Sequence, residues 1–436
     1  MSIAHPSRAS ATTWLGRWSP ILPILVAEFV VWLGFGALLP ILPLYFRDHG
    51  VDFTTLGFII AAWPAARLIG EPIFGWVADR TRRVPLMVAG SALAGVFVFL
   101  PLVVAGAVPF MVFRALAGLS TAMYDPAARG TITDVTPPER RGEAFGLYSA
   151  AQMGGLLFGP AIGGLGTALF GGVAFVFVFG GISSILAAVL VGLLVKETSA
   201  PSRAHATASY DATEFPARPA LVAGDETVVA PGAPPRLLNR LLLAAIIINI
   251  GAQFSAGTYD VVWSLYLEGL GAGVELIGFT FAMFGLPILL LSPYFGRRAD
   301  RGALVWFVIV GGLAPAVTGI LYTVMPSPIW AVPLILTEAT GFAALSPALY
   351  AIVAAGSPPG RSSTAQGVFG GAGTIGFVAA SLIAGYLAAI DIRLPFWFFS
   401  AVMFACLGIG LLVAGRALFA FGRERRTVDA KAVPEA

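Results

Sequence analysis

Cysteine, histidine and lysine are almost missing from this chain of 436 residues. Its single cysteine, Cys406, excludes a disulfide framework and a cysteine-bound metal cluster. The three histidines, His5, His49 and His205, stand in polar stretches, so no histidine relay is expected inside an apolar helix. The two lysines, Lys196 and Lys431, follow no glycine-rich turn, which removes the phosphate cradle that a nucleotide-driven machine needs. No HExxH or GxSxG pattern occurs, so the chain is expected to be no enzyme and to hold no cofactor or metal. Charge is scarce as well, at 11% of residues against 58% hydrophobic, with a mean hydropathy of +0.87. That balance cannot cover a soluble globule with polar surface, so lipid must be the main solvent.

What is present is a series of long apolar runs. A membrane helix needs about 20 such residues. Runs at 20–46, 54–78, 84–105, 107–129, 142–167 and 172–195 are followed by 239–266, 275–296, 303–325, 328–355, 364–388 and 394–415. The expected fold is therefore an all-α membrane protein of twelve transmembrane helices in two six-helix halves, 20–195 and 239–415. The polar tail 1–19 has no cleavage site after an apolar core, so no removable signal peptide is expected and the first helix anchors itself. Residues 196–238, rich in Ala, Pro and Thr, read as a cytoplasmic linker, and 416–436 as a basic, then polar, tail. Only Arg47 and Arg393 fall in loops on the far side and only Arg67 and Arg114 lie well inside helices; the rest of the 26 basic residues cluster with the termini. Cytoplasmic loops retain Lys and Arg, so both termini are expected in the cytoplasm of a plasma-membrane protein. The net charge of +3 is a topology signal rather than a nucleic-acid surface.

One register repeats along the chain. Gly75, Asp79 and Arg80 recur 221 residues later as Gly296, Asp300 and Arg301. The same offset, without a gap, pairs Tyr45 with Tyr266, Gly50 with Gly271, Gly57 with Gly278, Pro126 with Pro347 and Gly164 with Gly385. The halves are duplicates, a construction common among secondary transporters. In the loop GWVADRTRRVP (75–85), plain positive-inside charge accounts for Arg80, Arg82 and Arg83 but leaves Gly75 and Asp79 unexplained. An Asp at a helix end that pairs with arginine on a neighbouring element, and releases it when the halves move, forms a gate. Asp125 and Arg129 at the end of the fourth helix are expected to pair with Asp79 and its arginines, with Asp134 and Arg140 in the following loop.

With both copies of the loop in view, the chain resembles the major facilitator superfamily, whose signature at this place is GxxxDRxGRR. Arg82 replaces the later glycine, and the second copy, FGRRADRGALV, has a glycine one place earlier, Gly302, without the arginines that follow. The resemblance implies the two-half transporter fold and a cytoplasmic gate of Gly75, Asp79, Arg80, Arg83, Gly296, Asp300, Arg301, Arg129 and Arg140. Residues 155–164, GLLFGPAIGG, match the fifth-helix pattern GxxxGPxxGG associated in that superfamily with proton-coupled antiporters. It implies a hinge of Gly155, Gly159, Pro160, Gly163 and Gly164; ordinary small-residue packing is the other reading. Arg114 and Gly118 match the pattern RxxxG, whose arginine is linked to proton transfer in efflux members. A guanidinium keeps its proton, so Arg114 is expected to act electrostatically on a carboxylate, or else to bind backbone carbonyls of a neighbouring helix.

Acids inside a membrane are expensive enough to be functional by default. Glu28 falls near mid-membrane with Trp32 and Phe35 on its face at i+4 and i+7, a set suited to an apolar cation. Glu338 is also expected near mid-membrane, and Asp260, beside Tyr259 and Trp263, in the outer third facing an outward vestibule or the interface. Arg67 and Glu71 are expected to neutralise one another at i, i+4. The leading expectation is proton-coupled efflux of small amphipathic compounds by a monomer, its partners being substrate, protons and the bilayer. The alternative is a symporter or facilitator taking up a polar metabolite through Asn249, Gln253, Tyr259, Gln152 and Thr121. A non-transporting sensor or channel is a remote third.

Overall fold

The computed structural model describes residues 14–136, 141–170, 172–197, 238–298, 304–356 and 362–432. In hydrocarbon the chain must satisfy its own N–H and C=O groups, and the apolar runs accordingly become helices. After a short α1 (Trp14–Trp18) the first half comprises α2 (Leu22–Leu38), α3 (Leu42–Asp48), α4 (Phe53–Arg80), α5 (Arg83–Phe99), α6 (Ala107–Val135), α7 (Arg141–Phe170) and α8 (Ala174–Leu194). The second half comprises α9 (Arg240–Gly269), α10 (Val274–Arg298), α11 (Leu304–Tyr322), α12 (Ala331–Gly356), α13 (Ser362–Ile390) and α14 (Leu394–Ala432). Eleven of these are long and apolar enough to cross a membrane alone, and α2 with α3 makes a bent twelfth. With twelve spans the described chain therefore starts and finishes at one face, here called the terminal face. Most of the linker, 198–237, lies outside the described residues.

Two expectations need correction. The first span is not one helix but α2 and α3, bent by 42°. Pro40 has no N–H to give, so the chain closes the gap with tight bonds from Leu39 N to the Gly36 carbonyl (3.2 Å) and from Ile41 N to the Leu38 carbonyl (3.1 Å). The matching position of the second half is Val261, and α9 runs unbroken. The last helix, expected to end at 415, continues to Ala432.

The duplication is visible in the bonds as well as in the letters. The Tyr45 hydroxyl donates to the Pro101 carbonyl at 2.7 Å, and Tyr266, its copy, donates to the carbonyl of Tyr322, the copy of Pro101, at 2.6 Å. Gly50 and Gly271 close the first helical passage of each half at φ +77° and +87°, a backbone region that favours glycine. Gly75 faces Pro126 in one half as Gly296 faces Pro347 in the other.

The halves meet through two equivalent glycine crossings. In α4 against α13, a Cβ on Gly385 would stand 2.9 Å from the Gly57 Cα; in α7 against α10, one on Gly164 would stand 3.3 Å from the Gly278 Cα. Without side chains between them the backbones approach closely, the main source of helix attraction where lipid is as apolar as leucine. All four glycines sit toward the face opposite the termini. There a single apolar core joins the halves, with Tyr45, Phe46 and Phe110 packed in the same cluster as Trp263, Tyr322 and Phe396. Toward the terminal face each half has its own core, around Ile24, Met87 and Tyr124 in the first and Ile248, Val308 and Leu349 in the second. Gly146 and Gly367, near the terminal ends of α7 and α13, have open space where a side chain would go. The molecule is thus closed at the far face and parted at the terminal face.

This geometry predicts that Gly57→Leu or Gly164→Leu, which forces a side chain into the crossing, destabilises the protein by about 1–3 kcal/mol. Gly367→Leu, on a helix of the same crossing but facing open space, should leave the thermal midpoint in detergent unchanged.

Candidate functional site

Three groups of polar side chains occupy the interior. The first belongs to the N-terminal half. Glu28 on α2 is fully buried, and the 3.6-residue period that places Trp32 one turn on lets its indole Nε1 donate to Glu28 Oε1 at 2.8 Å. Gln152 on α7 donates to the same oxygen at 2.6 Å. The other carboxylate oxygen has no formed hydrogen bond, although the buried Tyr124 and Tyr148 hydroxyls stand beside the carboxylate, themselves unbonded. Phe35 meets Trp32 edge-on at 5.3 Å and stacks on Trp63 of α4 at 4.9 Å. These rings line a pocket of about 420 Å³, its open mouth included, with Arg67, Ser91, Thr121, Tyr124 and Asp125.

Behind this pocket lies a charge network. Arg67 pairs with Glu71 at 2.5 Å and also with Asp125 of α6, while Arg129 reaches Asp125 at 3.6 Å. Arg67 lies 4.8 Å over the Trp63 ring. The expected i, i+4 neutralisation of Arg67 by Glu71 is therefore only part of the arrangement. Asp125 does not stand at a helix end as expected: α6 runs on to Val135, which lifts Asp125 to the level of Arg67. Asp134 is likewise within α6, not in a loop, and binds Arg83 at 2.6 Å. Arg83 is almost fully buried, and the backbone N–H groups of Arg83 and Val84 donate to Glu197 at 2.8 and 3.1 Å. It ties α5, α6 and the chain after α8 together within one half. Arg80 is exposed and lies 4.1 Å over the ring of Trp76, on its own helix. Of the remaining gate residues, Arg140, Asp300 and Arg301 lie outside the described residues, as does the side chain of Asp79.

The second group belongs to the C-terminal half. Glu338 on α12 is fully buried, and both of its oxygens are bonded: Tyr259 spans them at 2.8 and 2.7 Å and Tyr322 donates to one at 2.7 Å. Trp263, Phe396 and Phe399 surround the tyrosines, at 5.4 Å from Tyr259 for the first and 5.3 Å for the last. The third group spans the halves. Arg114 of α6 and Asp260 of α9, on opposite halves, act on each other electrostatically without forming an ion pair. Arg114 is 5.9 Å from the Trp63 ring.

The fifth-helix glycines turn out to face two ways. Gly155, Gly159 and Gly163 pack on α2 between Phe29 and Ala37, Pro160 stands against Gly36, and Gly164 makes the crossing to α10. One helix thus touches both the helix that carries Glu28 and the opposite half. The residues missed in the sequence are Tyr124, Tyr148 and Tyr322. Tyr124 and Tyr148 stand beside Glu28 and Tyr322 bonds Glu338, each from a helix other than its acid's, which no spacing along the sequence signals.

Two duplicated bundles around a polar, aromatic interior define a membrane transporter. A family model described as Major Facilitator Superfamily matches residues 24–259 and 245–432, and the chain belongs to that superfamily. It is a multi-pass membrane transporter and not an enzyme. The chain is 24% identical over 406 residues to the quinolone resistance protein NorA of Staphylococcus aureus (strain COL), covering 91% of this chain and 95% of that one. It is 23% identical over 395 residues to the uncharacterized MFS-type transporter MJ1560 of Methanocaldococcus jannaschii, covering 89% and 96%. Among solved structures it shares its fold with a point mutant of the nucleoside transporter NupG, at a TM-score of 0.70, 13% identity and coverage of 90% and 99%. It also matches a bacterial homolog of the human lysosomal transporter Spinster, inward-facing and occupied, at a TM-score of 0.68, 15% identity and coverage of 95% and 98%.

Arg67 and Asp125 form a buried pair, so removing one partner strands the other. Arg67→Met should destabilise the purified protein by about 3–5 kcal/mol, and Arg67→Met with Asp125→Leu by less than Arg67→Met alone. Thermal unfolding of the two variants in detergent checks this.

Proposed function

We propose that this transporter expels small amphipathic compounds in exchange for protons. Its setting is the cell membrane, with both termini in the cytoplasm and the monomer as the working unit. The excess of basic residues at the terminal face supports that orientation. The parted face is then cytoplasmic, the side from which an efflux substrate enters.

The observation that carries the reading is the double engagement of Trp32. Its indole N–H holds Glu28, and its ring lines the pocket next to Phe35 and Trp63. A ligand that moves the ring disturbs the acid, and a proton on the acid weakens its hold on the ring. The Tyr124 and Tyr148 hydroxyls beside the carboxylate can accept a bond from that proton. Differential contact of this kind is what couples two ligands through one site. The name of the Staphylococcus aureus relative, a quinolone resistance protein, supports drug-like substrates.

Uptake of a sugar-like metabolite has less support because four of the five polar side chains it would need, all but Gln253, are engaged elsewhere. Gln152 holds Glu28, Asn249 donates to the Phe369 carbonyl at 3.0 Å, Thr121 bonds the Gly118 carbonyl at 2.8 Å, and Tyr259 holds Glu338.

In reconstituted vesicles with an acidic lumen, inverted molecules should accumulate ethidium severalfold faster than in vesicles without a gradient. Glu28→Gln should abolish the response to the gradient and make dye binding in detergent independent of pH. Equal rates with and without the gradient in the unmodified protein would sink the antiport reading.

A further inference from the structure

The pocket beside Trp32 is built by one half alone: its lining comes from α2, α4, α5, α6 and α8. The rings of Trp32, Phe35 and Trp63 share it with small residues of α5 and α8, among them Ser91 and Ser184. Both serines are almost fully buried, and among the described residues neither hydroxyl makes a hydrogen bond. A helical serine can return its hydroxyl to the carbonyl one turn back, as Ser120 does to Leu116 at 2.7 Å. Ser91 and Ser184 instead keep theirs for the pocket. A buried hydroxyl without a partner costs free energy that a ligand recovers by bonding it.

The charges in the pocket wall are already neutralised. Arg67 bonds Glu71 through Nε and Nη2 and Asp125 through Nη2, and Arg129 reaches the same Asp125 oxygen at 3.6 Å. The two arginines and two acids cancel. Among the described residues these bonds leave Arg67 Nη1 as a donor, and Asp125 Oδ1 as an acceptor, without a bonded partner. Glu28 holds the Trp32 indole but does not itself line the pocket.

We propose that this pocket is a subsite for an uncharged aromatic ring system bearing a primary carboxamide. The ligand's ring lies against Trp32, Phe35 and Trp63. Its carbonyl accepts from Arg67 Nη1 or a serine hydroxyl, and its amide nitrogen donates to Asp125 Oδ1 or to the other serine, so both functions of the group are met. An ammonium in the same place faces a carboxylate that two arginines already hold, and a carboxylate adds a like charge beside Asp125. Either ion leaves water for a wall with no countercharge to offer, a cost the neutral amide does not carry. The ligand still acts on Glu28, through the indole bond of 2.8 Å, without pairing with the acid. The inference orders amphipathic compounds by charge rather than excluding the charged ones. It deepens the efflux reading by naming a substrate class, and rests on it only for the direction of movement.

The test is calorimetric titration of the purified full-length protein in detergent, with no gradient present and heats of partition into protein-free detergent subtracted. Four probes share the naphthalene ring: naphthamide, methylnaphthalene, naphthylmethylamine in its ammonium form, and naphthoate. The amide should bind with a Kd about tenfold or more below that of each of the others. Ser91→Ala together with Ser184→Ala should raise the amide's Kd severalfold while leaving that of methylnaphthalene unchanged. Ser184→Ala alone should move the amide in the same direction, and it serves by itself where the double variant unfolds. An amide that binds no tighter than methylnaphthalene or the ammonium, or an amide Kd that neither serine variant moves, overturns the proposal. Loss of gradient-driven transport in vesicles would overturn antiport and leave this binding result standing.

Discussion

The structure depends on the bare backbone contact between its two halves. At Gly57 with Gly385 and at Gly164 with Gly278 no side chain separates the helices, and the aromatic core of Tyr45, Phe46, Trp263 and Phe396 closes over these crossings. Lipid supplies no hydrophobic force to press helices together, so close packing of this kind must hold the halves. The contact is confined to one face, and the rest follows from that. The opposite face is parted, each half keeps its own core there, and the interior charges line a space instead of a sealed seam. A contact of small, smooth surfaces at one end is also what lets two rigid bodies rock.

The two buried glutamates divide the interior unequally. Glu338 takes hydroxyl bonds on both oxygens inside an aromatic shell that belongs to the closed end. Glu28 takes two bonds on one oxygen, has the Tyr124 and Tyr148 hydroxyls beside it, and one of its donors is a wall of the pocket. The helix α7 brings Gln152 to Glu28, lays three glycines along α2, and ends in the crossing to α10. A change at the acid therefore has a continuous physical route to the interface, through one rigid element and without an intermediary loop.

How much of this was legible in the sequence depended on whether the cause was local. Helix number, duplication and register were readable because apolar length and a fixed offset are properties of the string. The same holds for Glu28 with Trp32, which helical spacing alone aligns. The break at Pro40 was present as a letter and passed over, because an apolar run was taken as an unbroken helix. Contacts between helices were mostly invisible: nothing near Glu338 in the sequence pointed to Tyr322, and nothing near Arg67 pointed to Asp125. The position of Asp125 went wrong for a definable reason, since ending the fourth helix at 129 brought it artificially close to the loop. The fifth-helix motif was recognisable, but its two-sided use, Gly159 on α2 and Gly164 on α10, follows from packing.

Symmetry is broken in two physically different ways. Pro160 and Ser381 stand at matching positions, and only the first lacks a backbone N–H. Their surroundings are nevertheless equivalent: the Pro160 carbonyl faces Gly278 as the Ser381 carbonyl faces Gly57. The frame uses both residues alike, through a backbone atom that every amino acid has. The chemical distinction lies in the replacements whose side chains point inward, Glu28 against Asn249 and Arg114 against Ile335. Asn249 spends its amide on the Phe369 carbonyl and Ile335 joins the apolar core, whereas Glu28 and Arg114 are left with unfilled atoms. A duplicated membrane protein gains a site where one copy keeps a polar group that its twin has either satisfied or lost, because only an unsatisfied group has free energy left to give to a ligand.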